Sequence, residues 1–274
     1  MAIFDMNNFV PDRVRRGTMF SLSKGDALWS LTQIEEPSLS VTTDNAEVVD
    51  AIGTRIMQFD RAKAAELSGS NSLLDFGLLA AQGGTEKKLA SADNKLIMPN
   101  YETHVLTAAE VEAGKFTLEQ KPNGVAGAEI PFIYKLNGDD TLAAKYPIAA
   151  AATASAFKLD VETKEITLPT GVFAANDRLW IPYEYETENG IEIDNTGKDF
   201  PKAGRFVMEV LGHDVCNPDK NYFAYMECNN AKLNASYDLN FTSDGKHPFT
   251  LQMMQNYCDP EKKLFSVKVP GALD

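Results

Sequence analysis

The densest group of side chains able to do chemistry is the acidic run from Tyr183 to Asp194, with Glu184, Glu186, Glu188, Glu192 and Asp194. Carboxylates in such numbers serve calcium coordination or, as a pair across a cleft, glycoside cleavage. Neither pattern is specific here. The run lacks the EF-hand order of alternating Asp or Asn with Gly at the sixth place and Glu at the twelfth. Nothing selects one carboxylate pair over another. Period two puts Glu184, Glu186 and Glu188 on one strand face, alternating with Tyr183, Tyr185 and Thr187, which reads as a solvated face.

Other candidates are scattered. His104, His213 and His247 sit in separate regions with no partner four residues away. Cys216, Cys228 and Cys258 are odd in number and form no C-x-x-C pair, which argues against a disulfide scaffold or structural zinc and for free thiols made in a reducing cytosol. Gly83 to Lys87 lacks the spacing of a P-loop, and neither G-x-G-x-x-G nor G-x-S-x-G occurs. The expectation is a protein that is not an enzyme and uses no cofactor or metal.

The 274 residues carry 26 Lys and Arg against 39 Asp and Glu, a net charge of −13. Net acidity opposes the phosphate contacts that drive general nucleic-acid binding. An apolar fraction of 44% excludes disorder. Residues 101–200 hold 8 basic and 17 acidic side chains, so the middle has a character of its own. No signal-peptide core is visible between Met1 and Gly17, and the alanine-rich run Ile148 to Phe157 is too short to span a bilayer.

The elements that must position these groups are mostly strands. Leu233 to Phe241 alternates strictly, with Leu233, Ala235, Tyr237, Leu239 and Phe241 opposite Asn234, Ser236, Asp238 and Asn240, and predicts a half-buried antiparallel strand. Further strands are expected over 206–211, 222–228, 249–253 and 264–269, and in the first part over 28–34, 39–43, 54–59 and 63–67. One helix is expected over 73–82, with Ser72 and Asp75 as a capping box and Gly83-Gly84 as its stop. In the middle, 131–136, 157–161, 165–168 and 178–185 read as short strands. The fold class is therefore α+β, predominantly antiparallel β, with one packed helix. The expected organisation is 1–100 and 201–274 as two halves of one domain and 101–200 as an inserted β module.

Two segments resemble bacteriophage tail tube (major tail) proteins. The first runs from Ser38 to Asp60 and on through Ala64 to Asp75 and Gly84. The second is 206–269, with Cys216-Asn-Pro, Asn230 to Leu239, Tyr257-Cys258 and Lys263 to Val267. The resemblance implies a β-sandwich or barrel subunit. Six copies would form a ring, and rings would stack into a tube through which genomic DNA is ejected without specific contact. It further implies a virion protein made in the host cytoplasm. Its partners would be further copies of itself, the tape measure, tail terminator and baseplate proteins, and in contractile tails a sheath; none is a membrane. The loop from Asp44 to Ala51, with Asp44, Asn45, Glu47 and Asp50, becomes the candidate for ring stacking. Ala2 to Arg16 becomes an arm whose Arg13, Arg15 and Arg16 meet acids of a neighbour.

A DNA channel should avoid the lysines and arginines that grip phosphate. Asn234, Ser236, Asp238 and Asn240 have that chemistry and are the candidate lumen-facing groups, although the same face also fits an outer, solvated surface. The alternatives are the inner tube of a tailocin-like injection particle, a head or baseplate component, and a carbohydrate-active or carbohydrate-binding β protein.

Overall fold

The computed structural model describes residues 8–257 and 259–270. Cys258 and residues 2–7 of the expected arm lie outside them. Strands take up 53% and helices 6%, so the chain is α+β with antiparallel β predominant. In chain order come β1 (Phe9–Ser21), β2 (Ala27–Leu31), β3 (Ile34–Val49), β4 (Arg55–Asn71) and α1 (Phe76–Gly83). Then follow β5 (Lys88–Leu89), β6 (Leu96–Val105), α2 (Ala108–Ala113), β7 (Lys115–Thr117), β8 (Pro122–Asn123) and β9 (Phe132–Leu136). Next are β10 (Leu142–Pro147), β11 (Lys158–Asp160), β12 (Glu165–Thr167), β13 (Arg178–Thr187) and β14 (Ile191–Glu192). The last are β15 (Ala203–Asp214), β16 (Asn217–Leu233), β17 (His247–Met253) and β18 (Ser266–Lys268). The chain divides into two compact units, one built from residues up to Lys87 and from Ile193 onward, the other from Lys88–Glu192.

The first unit is one antiparallel sheet in the order β2-β1-β15-β16-β17-β4-β3, with β18 added beside β16. Its end strands β2 and β3 are joined by Thr32 and Gln33 alone. Three peptide steps reach about 10 Å, so the sheet has to curl until its ends nearly meet. The ladder is not closed into a barrel. Period-two burial follows from the curl: Phe206 and Met208 on β15, Tyr222, Ala224, Met226 and Cys228 on β16, and Phe249, Leu251 and Met253 on β17 all face inward. Gly17 on β1 lets the interior fill, because a Cβ there would stand 2.7 Å from the Ile34 side chain and 3.0 Å from the Phe206 ring. Burial pushes the Cys228 thiol above its ordinary pKa, which makes it an unreactive core group.

Helix α1 begins one turn later than expected. Asp75 is itself the N-cap, its Oδ1 accepting from Leu78 N at 2.7 Å, while the Ser72 backbone N donates to Gln33 O. Gly84 ends the helix at φ 72°, where a side chain would also strike the Phe200 backbone at 2.5 Å. A second helix, α2, lies outside the expected elements and opens on a capping box of Thr107 and Glu110.

The strand expected over 233–241 does not form. β16 ends at Leu233, where the Asn234 side chain accepts from Ser236 N at 3.1 Å. This local turn competes with the ladder and takes the chain off the sheet. Residues 54–59 and 63–67, read as two strands, are one continuous strand, β4.

In the second unit, β10-β9-β13-β6 form the larger sheet and β11-β12-β7 a smaller one, around Phe116, Phe157, Ile166, Leu179 and Ile181. Glu102 is buried there and accepts from the Tyr183 hydroxyl at 2.7 Å and from Glu119 N at 3.2 Å. Burial, with this carboxylate as partner, pushes the Tyr183 phenol up to about 12. It therefore stays a donor at any ordinary pH.

Helix α1 is pinned to β17 through His247, which is 1% exposed. Its Nε2 lies 2.7 Å from Gln82 Oε1, and its Nδ1 accepts from Asp75 N at 3.3 Å. These partners demand the neutral ring with the proton on Nε2. Burial lowers the pKa from 6.5, the nearby Asp75 carboxylate opposing that shift. Above 6.5 the ring is neutral folded and unfolded alike, so the pin is intact; below it the unfolded chain takes the proton first. Stability therefore falls as pH drops below 6.5. Urea midpoints at pH 7.5 and 5.5 should show this loss, and His247→Gln should flatten it in that window.

Candidate functional site

β4 pairs with β17 only from Ala65 to Asn71, whereas β3 follows β4 from Asn71 out to Arg55. Beyond Ala65, β3 and β4 pair only with each other among the described residues. Residues 42–64 therefore run off the sheet as a two-stranded ribbon, about 25 Å long from Thr42 to Val49. Asp50 closes its tip: Oδ1 accepts from Ile52 N at 3.0 Å and from Thr54 N at 2.7 Å. Glu47 pairs with Arg55 near the same end.

Cross-strand partners share a face, so the register tells what the ribbon displays. Ala46 opposes Phe59 and Val48 opposes Met57 on one side. Asn45 opposes Asp60 and Glu47 opposes Gln58 on the other. At the root the apolar pairs are Leu39 with Leu67 and Val41 with Ala65, and Leu67 and Ala65 belong to the core. Counting in twos along β3 from Leu39 leads to Asn45 and Glu47. The apolar face has therefore changed sides between root and tip, so the outer apolar stripe is not a continuation of the chain's own core face. Phe59 is 49% exposed and Ile52, at the tip, 87%.

The structure thus places the four expected stacking residues on a ribbon rather than a loop. Asp44, Asn45 and Glu47 lie within β3, and Asp50 is the turn residue. The neighbouring apolar groups Ala46, Val48, Met57 and Phe59 were not picked out, because their shared face appears only once the register is known. The arm expectation is corrected from Phe9 onward. Phe9 to Ser21 is β1, paired along its length with β15. Arg15 lies 3.7 Å from Glu209 and over the Phe223 ring, and Arg13 is 3.8 Å from Asp12, so these two have partners within their own unit. Arg16 stands opposite Glu209 in the register. Asn234, Ser236, Asp238 and Asn240 share an irregular segment instead of a strand face.

The acidic run behaves as a solvated face: Glu184, Glu186 and Glu188 are exposed, and Glu188 pairs with Lys95 at 3.3 Å. Among the described residues, no three His, Cys, Asp or Glu are grouped to hold a metal ion. His104 contacts Glu110 at 3.1 Å and stacks on Phe116, far in sequence from the buried His247.

A protein-family comparison matches residues 12–263 to the YomU/Tube protein family. The chain belongs to that family. The tube assignment agrees with the resemblance to phage tail tube proteins and is consistent with a structural component of a phage tail. A comparison with curated proteins finds no match. No helix among the described residues of this tube-family chain is long and apolar enough to cross a membrane.

The face change makes a discriminating expectation. Met57→Ser and Phe59→Ser should each leave the unfolding free energy of the unassembled subunit within about 0.5 kcal/mol of the parent. Leu67→Ala, further down the same strand, should cost about 2–5 kcal/mol. Urea denaturation of the three variants measures both.

Proposed function

We propose that six copies of the chain form a ring, that rings stack into the tail tube, and that the ribbon is the stacking device. The observation that carries this reading is the unpartnered ribbon with its apolar stripe of Ala46, Val48, Met57 and Phe59. A stripe of that kind, flanked by free strand edges, invites pairing with another chain. In a regular stack each ribbon meets the same surface on the next ring, so one patch serves every joint. Asp44, Asn45, Glu47 and Asp50 then supply the polar rim of the contact. Arg13, Arg15 and Arg16, all exposed on β1, are the candidate links to acids of an adjacent copy, in addition to the pairings Arg13 and Arg15 make within their own unit.

In this proposal the inner strands of six copies complete a barrel around the DNA channel. The tape measure occupies it before ejection, and terminator and baseplate proteins close the ends. A sheath would surround it in a contractile tail. Asn234, Ser236, Asp238 and Asn240 remain candidate channel-facing groups, in a stretch (233–245) without lysine or arginine that Lys232 and Lys246 bound, suited to let phosphate slide past.

Negative-stain microscopy of purified protein tests the reading. The parent should give rings or stacked tubes with a central hole. Val48→Asp combined with Phe59→Asp should keep the far-ultraviolet circular dichroism of the parent yet give no stacked tubes. Full-length tubes from the double variant would refute the role of the ribbon. A second expectation concerns the channel: Ser236→Lys with Asn240→Lys should leave tubes intact but slow DNA release in a salt-dependent way. Unchanged release at low salt would remove this loop from the channel wall.

A further inference from the structure

We infer that the outer face of the larger sheet in residues 88–192 is a binding site for neutral carbohydrate chains. The register lays Thr103, Trp180, Tyr134 and Lys145 in one row across β6, β13, β9 and β10. Tyr101 joins the row diagonally, its ring 6.0 Å from Trp180 and within 14° of parallel. Tyr134 lies 5.4 Å from Trp180 at 49°. Tyr101 is 66% exposed. The core does not need these rings, because Leu179, Ile181 and Tyr183 on the opposite face of β13 already fill it.

Next to the row is a cleft of about 420 Å³ lined by Thr103, Leu136, Asp140, Leu142, Arg178 and Trp180. Arg178 and Asp140 form an ion pair inside it. Asp140 is held in the hairpin turn between β9 and β10 at φ 66°, a conformation that costs energy for a residue with a side chain. Lys145 sits 4.7 Å over the Phe132 ring and bounds the row at that end.

A sugar ring has an apolar face of C–H groups and a rim of hydroxyls. The exposed Tyr101 ring, nearly parallel to the half-buried Trp180 ring, offers the first an apolar platform, and a few fixed polar groups orient the second. The Arg178–Asp140 pair provides donors beside an acceptor, as adjacent hydroxyls require. A protein partner is a poorer fit, since Thr103, Arg178, Asp140 and Lys145 interrupt the apolar area, and the core of a protein interface is depleted in charge. Neutral chains are favoured because residues 88–192 contain nine Lys and Arg against sixteen Asp and Glu, a field that repels anionic polymers.

The chain has two tryptophans, and Trp29 is buried in the other unit. A ligand-dependent change in tryptophan emission is therefore assigned to Trp180, over a constant contribution from Trp29. The full-length protein is titrated with maltohexaose, cellohexaose, chitohexaose and, as an anionic control, a hyaluronan hexasaccharide. The expected result is a saturable emission change with at least one neutral hexaose and none with hyaluronan. Tyr101→Ala and Asp140→Asn should each weaken that binding at least tenfold while leaving the thermal midpoint and tube formation unchanged. Absence of a saturable change with every neutral hexaose overturns the inference. So does equal binding of hyaluronan, or a Tyr101→Ala variant that loses stability but not affinity, which would make the row a packing device. Tube formation is read separately in the same samples, so failure here leaves the stacking proposal standing.

Discussion

A two-residue link governs the tube-family unit. β2 and β3 stand at opposite ends of the strand order, yet only Thr32 and Gln33 separate them in the chain. No flat sheet satisfies that link, so the sheet curls, and the curl creates the interior that Phe206, Phe249 and Leu251 fill. The Gly17 contact with Ile34 and Phe206, the docking of α1 and the neutral His247 pin all belong to that enclosed space. The interior is short along the strands, whereas β3 and β4 are 16 and 17 residues long. Their surplus length has no sheet to join and becomes the ribbon.

The charge of the chain also reads differently once divided by structure. Residues 88–192 hold nine basic and sixteen acidic side chains, which assigns −7 of the −13 to that unit and −6 to the remainder. The tube-family unit is therefore appreciably acidic itself. Some of its acids are tied up: Glu227 is held by Lys268 and Arg205, which together keep its carboxyl below the usual range against the opposing effect of burial. One carboxylate between two cations leaves that cluster net positive, so the −6 of the unit comes from its other acids.

The sequence was most legible where alternation coincided with burial. The strands at 206–211, 222–228 and 249–253 were readable because every second residue is large and apolar, and the structure buries those residues. The same signal misled at 233–241, where small polar residues alternate with apolar ones but Asn234 turns its side chain back onto the backbone. Helix α1 was visible through its double-glycine stop, while its start was misplaced by one turn because both Ser72 and Asp75 are good caps. The ribbon was half legible. Its polar residues stood out as a loop, but the stripe of Ala46, Val48, Met57 and Phe59 depends on which residue faces which, and a bulge between Asp44 and Asn45 sets that pairing. The aromatic row on the second unit was hidden for the same reason, since Tyr101, Tyr134 and Trp180 are far apart along the chain.

The neck of the second unit has an evolutionary consequence. Lys88 and Leu89 pair with Glu192 and Ile191, and just inside the first unit Thr85 Oγ1 donates to Asp194 O at 2.7 Å. Chain entry and exit thus lie on adjacent strands, about 5 Å apart. To the curled sheet, a hundred residues of module look like a hairpin turn, and the module's own folding holds its ends together. Lineages can therefore trade one such module for another, or lengthen it, without renegotiating the geometry of the sheet that carries it.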